Sequence, residues 1–294
     1  VFSYFTDNIE GLFSKIEWVK ADITDVPSLE KVFVNVEVVY HVAALVSFNP
    51  KEYRKMRQVN IDGTANIVNY AIAGTVQKLC FVSSIAAIGD SINNEVVTEE
   101  NDWSIESGNN GYAITKHGAE MEVWRASQEG VDVIIVNPGV ILGAGFWNLN
   151  TGQLFSKVAK GFKYFTEGVT GFVGVTDVAK SMIELTESDV KNQGFILVSE
   201  NISFKEVFTE IAKNFEKKPP IIKVSKTTTS FLRRIDAILS FITGKKRLIT
   251  KDSANSLHSK TYYSSEKIKN SIGFEFTSIK SVIKEVCISY KKEY

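Results

Sequence analysis

Leu79-Cys80-Phe81-Val82-Ser83-Ser84 is an apolar run that stops on two serines. Such runs between helical segments read as strands buried on both faces of a parallel sheet. Upstream, Glu37 to Leu45 (EVVYHVAAL) is a second apolar run ending in small residues. A long helix from Glu52 to Ala73, stopped by Gly74, separates the two. Downstream, a polar loop from Asp90 to Gly111 leads to a helix from Tyr112 to Glu129, which Gly130 ends. Val131 to Val136 is then a β-branched strand stopping at Asn137-Pro138-Gly139. Further upstream, Lys15 to Lys20 (KIEWVK) alternates apolar and charged residues and predicts another strand. It leads into a helix through Val36, with Thr24 or Asp25 as cap and Pro27 in the first turn. This alternation of strands and helices implies right-handed crossovers, hence an α/β, doubly wound parallel sheet.

Ligands of such sheets bind beyond the carboxyl ends of the strands. Here those ends are Asp22, Ala43-Ala44, Ser83-Ser84 and Asn137-Pro138-Gly139, which combine small residues with a few polar atoms. Tyr112 and Lys116 enter from the intervening helix, four residues apart and therefore on one face. An ammonium beside a phenol favours the phenolate and lowers the tyrosine from its reference pKa of roughly 10. Tyr112 is thus a candidate acid or base near neutral pH. Tyr263 and Lys267 repeat the spacing without this setting.

Beyond Gly143 the pattern loosens into a smaller mixed lobe. Helices are expected over 151–161, 178–188 (capped by Thr176-Asp177), 203–215 (capped by Ser203 with Glu206), 229–243 and 278–290. Strands are expected over 172–175 and 195–198. The domain reading is a dinucleotide-binding unit over 1–143, to which part of 172–200 returns, and a substrate lobe over 144–294. The 34 basic and 34 acidic side chains cancel, which gives no footing for nucleic acid. Cys80 and Cys287 each lie in apolar runs, as buried free thiols of a reducing cytoplasm do. There is no leader-like start and no run long enough to span a bilayer. His41, His117 and His258 lack ligand-like spacing, so no metal is expected. Lys245-Lys246-Arg247 reads as a solvated turn, and the apolar face of Phe231, Leu232, Ile235, Ile238, Leu239 and Ile242 as packing onto the lobe.

The stretches ADITD (21–25), VVYHVAA (38–44), NIDGTANIV (60–68), FVSSIAAIG (81–89), YAITK (112–116), NPGVILG (137–143) and VTDVA (175–179) occur in one order. Together they resemble the extended short-chain dehydrogenase/reductase family, the NAD-dependent epimerase/dehydratase superfamily, in its dihydroflavonol-reductase-like branch. The resemblance implies a Rossmann-type fold binding NAD or NADP. It implies Ser84, Tyr112 and Lys116 as catalytic residues, with Ser83 as the alternative serine. Cofactor contacts carried over are Asp22 and Ile23 at the adenine, Val42, Ala43 and Ala44 along the cofactor wall, and Asn60 on the cofactor side. Tyr112 and Lys116 meet the nicotinamide ribose, and Pro138, Val140 and Ile141 border the ring. The family opens with a glycine-rich GxxGxxG turn, and no such motif stands at the start of this sequence. On that pattern roughly 50 residues, a strand-helix-strand unit, are expected to precede Val1 in a parent chain, and the strand that separates NAD from NADP users is not legible.

Among activities, the expectation is an NAD(P)-dependent oxidoreductase acting on a small-molecule carbonyl or secondary alcohol. A nucleotide-sugar epimerase is the alternative, and a non-catalytic NAD(P)-binding protein the third reading. Ile85 and Ala86 stand where related dehydratases carry an acidic pair, and Asn137 stands where epimerases commonly carry arginine. The resemblance also implies a homodimer through helices 52–73 and 112–129.

Overall fold

The computed structural model describes residues 11, 13–91, 95–104, 110–230 and 257–294. In chain order the elements begin with α1 (Val26–Glu30), β1 (Val38–His41) and α2 (Tyr53–Arg57), then a π-helical turn (Gln58–Asp62) running into α3 (Gly63–Ala73). They continue as β2 (Lys78–Val82), α4 (Gly111–Gln128), β3 (Asp132–Pro138), β4 (Val140–Leu142), α5 (Gly152–Ala159), β5 (Tyr164–Phe165) and β6 (Val169–Gly174). The last are α6 (Val175–Glu187), β7 (Gln193–Leu197), β8 (Glu200–Ser203), α7 (Phe204–Asn214), β9 (Ile222–Lys223), α8 (Glu266–Ile272) and α9 (Ile279–Glu293).

β1, β2, β3 and β7 form a parallel sheet in that order, with Phe81 beside His41 and Ile135. Side chains alternate across a strand, so each face has its own core. Leu79, Phe81, Val133 and Ile135 pack against Ile67, Val68 and Ala71 of α3 and against Ala119, Val123 and Ala126 of α4. Cys80, Ile134 and Val136 pack on the opposite face, against Val178, Met182 and Leu185 of α6 and Ile268 of α8. Burying a side chain of this size contributes about 1.5–3 kcal/mol, and both faces need covering. The π-helical turn and α4 close tightly because position 118 is glycine. A Cβ there would sit 2.6 Å from Ile61 Cδ1.

The second sheet, β4-β6-β8, continues directly from β3. It carries its own core, built from Phe172, Val207, Ile211, Ile283 and Val286 with Trp147 and Phe155. The expected capping box at α7 is present, with Ser203 and Glu206 exchanging hydrogen bonds. Ser278 caps α9 with its side chain alone, accepting from Ser281 N. Both cysteines are buried and free. Among the described residues no helix is long and apolar enough to cross a membrane.

Four local expectations are corrected. Lys15 to Lys20 forms no strand: 17–20 is irregular and Trp18 and Val19 are more than half exposed. A strand exists only as part of a ladder, and among the described residues no neighbour pairs with this segment. The helix expected through Val36 is only the short α1, and Asp25 makes no side-chain cap. Asn35 takes a left-handed φ of 58°, ending the turn before β1. The strand expected over 37–45 stops at His41, and its outer face is open, with Val38 and Tyr40 exposed. Thr176-Asp177 does not cap α6, which begins at Val175. Asp177 is instead buried in the first turn and accepts from Thr277 N and Oγ1 at 2.8 and 2.9 Å. The expected helix over 229–243 and the basic turn at 245–247 fall almost wholly outside the described residues.

Ile134 is fully buried at the centre of the sheet. Ile134→Ala is expected to cost about 2–5 kcal/mol, read as a lower midpoint in denaturant unfolding with an unchanged slope.

Candidate active site

The site lies where β1, β2 and β3 end and α4 begins. Asn110 starts α4 by accepting from Ala113 N at 2.9 Å. That cap fixes the first helical turn and so the direction in which Tyr112 leaves it. Tyr112 is half-buried, with Phe48 edge-on at 6.2 Å between ring centroids. An open recess of about 360 Å³ lies alongside, lined by Phe48, Pro50, Tyr53, Met56 and Ile114.

Ser84 closes β2 in an extended conformation, and its Oγ accepts from Ala86 N at 3.2 Å. The same hydroxyl lies near enough to the Tyr112 phenol to favour its ionised form. It therefore caps a turn and faces the tyrosine as well. Ser83, its neighbour, points to the other side, because adjacent residues of an extended chain alternate. Its hydroxyl is buried with no hydrogen-bond partner of ordinary geometry, yet it lies near enough to Glu120 to favour the ionised carboxylate.

Lys116 is 2 % exposed. Its Nζ donates to the Val82 carbonyl at 2.7 Å and sits 4.1 Å from the Phe81 ring centroid. Burial lowers its pKa to about 8, with Glu120 opposing the fall. The expected depression of Tyr112 by Lys116 is not found. Burial raises the Tyr112 pKa, and the Ser84 hydrogen bond lowers it in part.

A second tier of polar groups holds this centre. Asn60 lies in the π-helical turn, where Gly63 N donates to Gln58 O, and such turns often mark functional positions. Its Oδ1 accepts from Leu45 N at 2.7 Å. Its Nδ2 donates to Leu45 O at 2.9 Å and to Thr115 Oγ1 at 3.1 Å. Thr64 Oγ1 donates to Asn60 O at 2.6 Å, and His41 Nε2 lies 2.9 Å from the same hydroxyl. A hydroxyl has one proton to give, so His41 donates from Nε2. Burial and then the Lys116 charge push the His41 pKa down to about 4, leaving it neutral.

Asp22 lies on the surface, where its Oδ1 accepts from Thr24 N and Oγ1, both at 2.8 Å. Those bonds hold its pKa below the usual carboxylate range. Ile23 O accepts from Asn66 Nδ2 of α3 at 2.9 Å. Val42, Ala43 and Ala44 are exposed beyond β1, and Pro138 is buried at the end of β3. Val140 and Ile141 are half-buried in β4. Ser84, Tyr112 and Lys116 are thus brought together, with Asn60 behind them. The residues along 22–23 and 42–44 form an open border. Sequence reasoning missed Glu120, His41, Thr115 and Asn137. For Glu120 a signal existed: it stands one further turn along the face that carries Tyr112 and Lys116.

The nicotinamide end of a dinucleotide fits this donor set. An ammonium has three protons, and the Val82 bond takes one. Two remain for ribose hydroxyls beside Tyr112. The GxxGxxG spacing at 168–174 runs along β6 of the second sheet and is not a turn at the ends of β1, β2 and β3.

A parallel sheet whose strand ends gather a serine, a tyrosine and a buried lysine places the chain in the extended short-chain dehydrogenase/reductase class. The family model described as male sterility protein, an NAD-binding family, matches residues 5–173, more than half of the chain, and the chain belongs to it. Cinnamoyl-CoA reductase 1 of Petunia hybrida is 27% identical over 297 residues, covering 97% of this chain and 80% of that protein. A putative dihydroflavonol 4-reductase of Synechocystis is 24% identical over 94% of this chain and 82% of its own. Among solved structures, gox2253 superposes with a TM-score of 0.79 at 24% identity over 93% of this chain and 84% of that one. The UDP-glucose 4-epimerase of Thermotoga maritima does so with 0.77 at 17% identity, over 99% and 89%. These likenesses support the Rossmann-like fold.

Asn60→Ala would leave the Leu45 amide and carbonyl without their partner. The expected loss is about 1–3 kcal/mol, together with faster hydrogen exchange at the Leu45 amide than at amides within β2.

Proposed function

We propose that the protein is an NAD(P)-dependent oxidoreductase that reduces a carbonyl, or oxidises the corresponding secondary alcohol, with Tyr112 as the proton-transferring group. The observation that carries the proposal is the nearness of the Ser84 hydroxyl to the Tyr112 phenol, beside a buried Lys116 at the carboxyl ends of β2 and β3. The nicotinamide ring, when bound, supplies or accepts the hydride. Ser84 Oγ holds the substrate oxygen, and Tyr112 donates the proton that oxygen needs as it becomes an alcohol. Burial keeps the phenol protonated at neutral pH, the form that reduction requires. Lys116 offers its remaining protons to the ribose and holds a positive charge behind the phenol. That charge stabilises a developing phenolate once the proton has left.

The reductase relatives support this reading. Nucleotide-sugar epimerisation is the competing reading. Against it, the Asn137 amide, standing where epimerases commonly place an arginine, is committed to Ser84 and Glu120. We further propose Asp22, Ile23, Val42, Ala43 and Ala44 as the dinucleotide border, Pro138, Val140 and Ile141 as the nicotinamide rim, and a cytoplasmic homodimer through the helical stretch 52–73 (α2, the π-helical turn and α3) and α4. Light scattering reporting a monomer at working concentration would count against the dimer.

The test is consumption of NADH and NADPH with aldehydes, ketones, aromatic acyl-CoA thioesters and dihydroflavonols, and with UDP-sugars as the epimerase arm. Tyr112→Phe is expected to lower kcat by about 100-fold or more, with dinucleotide affinity nearly unchanged. Lys116→Met is expected to weaken dinucleotide binding as well as turnover. Turnover that survives Tyr112→Phe overturns the mechanism.

A further inference from the structure

Glu120 is a carboxylate with no surface role. It is 8 % exposed and lies one turn beyond Lys116 on α4. Its Oε1 accepts from Asn137 Nδ2 at 2.6 Å. The same Nδ2 donates to the Ser84 carbonyl at 3.1 Å. An amide nitrogen has two protons, so these two bonds use both. Asn137 itself is 4 % exposed. A continuous path thus runs from the carboxylate through one amide to the backbone of the serine that faces Tyr112. On its other side the carboxylate acts on the Lys116 ammonium.

We infer that Glu120 is the positioning residue of this site, supplying the counter-charge that keeps Lys116 protonated and fixing, through Asn137, the backbone from which Ser84 projects. The inference rests on the mechanistic reading of Tyr112 given above. Two physical points support it. A buried ammonium without an anion is costly, and the acidic group that raises the Lys116 pKa is Glu120. Conversely, burial raises the Glu120 pKa to about 7, while Ser83, Asn137 and Lys116 pull it down. The two groups therefore titrate as a coupled pair. The titratable groups around them are Tyr112 on the same helix and His41 on β1, which stays neutral. The ends of β2 and β3 present only Ser83, Ser84 and Asn137, which carry no charge.

The sign of the effect follows. Removing the negative charge removes what favours the ammonium, so Lys116 releases its proton at lower pH. Glu120→Gln keeps an oxygen acceptor for Asn137 and deletes only the charge. The experiment follows the lysine 13Cε resonances of the full chain through an alkaline titration, with Lys116 assigned by its loss in Lys116→Met. Glu120→Gln is expected to lower the Lys116 midpoint by about one pH unit, and Glu120→Asp to restore part of that shift. The alkaline limb of kcat should move with the midpoint. A Lys116 midpoint in Glu120→Gln within about 0.3 unit of wild type overturns the inference. Should that variant not fold, wild-type protein decides. Ionisation of Glu120, followed at its 13Cδ, is expected to move the Lys116 resonance with the same midpoint, and an unmoved resonance overturns the inference. Tyr112→Phe separates the two failures. Lost turnover with an unmoved Lys116 midpoint defeats the role of Glu120 alone. Surviving turnover defeats the mechanism, and the Lys116 midpoint still judges the charge pairing.

Discussion

The Lys116 ammonium is held in the interior of the sheet end by one carbonyl and one aromatic face, with the Glu120 carboxylate one helical turn further on favouring its charge. Taking such a charge out of water costs several kcal/mol even after relaxation. It is tolerated only where the surroundings are built to receive it, and those surroundings account for much of the neighbouring structure. Val82 must end its strand with a carbonyl aimed at α4. Phe81 must offer its ring beneath, and Glu120 must stand one turn further along the helix. Gly118, on the same helix, lets the π-helical turn approach α4 closely. The His41 pKa is then pushed down by the same charge, so the imidazole serves as a neutral hydrogen-bond donor to Thr64.

The layered fold was legible in the sequence because its signals are local and strong. The apolar runs at 79–82 and 131–136 lie between helices with clear glycine stops, and each strand became a rung of one parallel sheet. The capping box at Ser203 needed only three residues to be read. Lys15 to Lys20 shows the limit. Its alternation is as regular as any in the chain, but alternation describes which face a side chain takes once a ladder exists. Without a paired neighbour among the described residues, the same pattern stays irregular and leaves Trp18 exposed. β1 carries a milder form of the same constraint, with one edge paired and its outer face open.

The candidate site was legible in its first tier and not in its second. Ser84, Tyr112 and Lys116 stand in stretches whose order is distinctive. Glu120, Asn137 and His41 are individually ordinary, and what makes them significant is burial, which no local pattern reports. Asp177 makes the point in reverse. Its place after Thr176 suggested a helix cap, whereas its carboxylate spans a hundred residues of sequence to hold Thr277.

The comparison between Tyr112 and Tyr263 shows why spacing alone does not define the chemistry. Both tyrosines precede a lysine by four residues, and burial raises both. Tyr263 lies outside any helix, bridged to Val97, while Lys267 in α8 rests its ammonium 5.1 Å from the Phe195 ring centroid. Asp90 adds a negative charge that pushes the Tyr263 pKa up to about 12. Tyr112 has Ser84 on one side and, along its own helix, an ammonium kept charged by Glu120. A phenol becomes an acid of use only where its conjugate base is accommodated, and in the proposed mechanism the ammonium that the carboxylate at position 120 sustains is what provides for it.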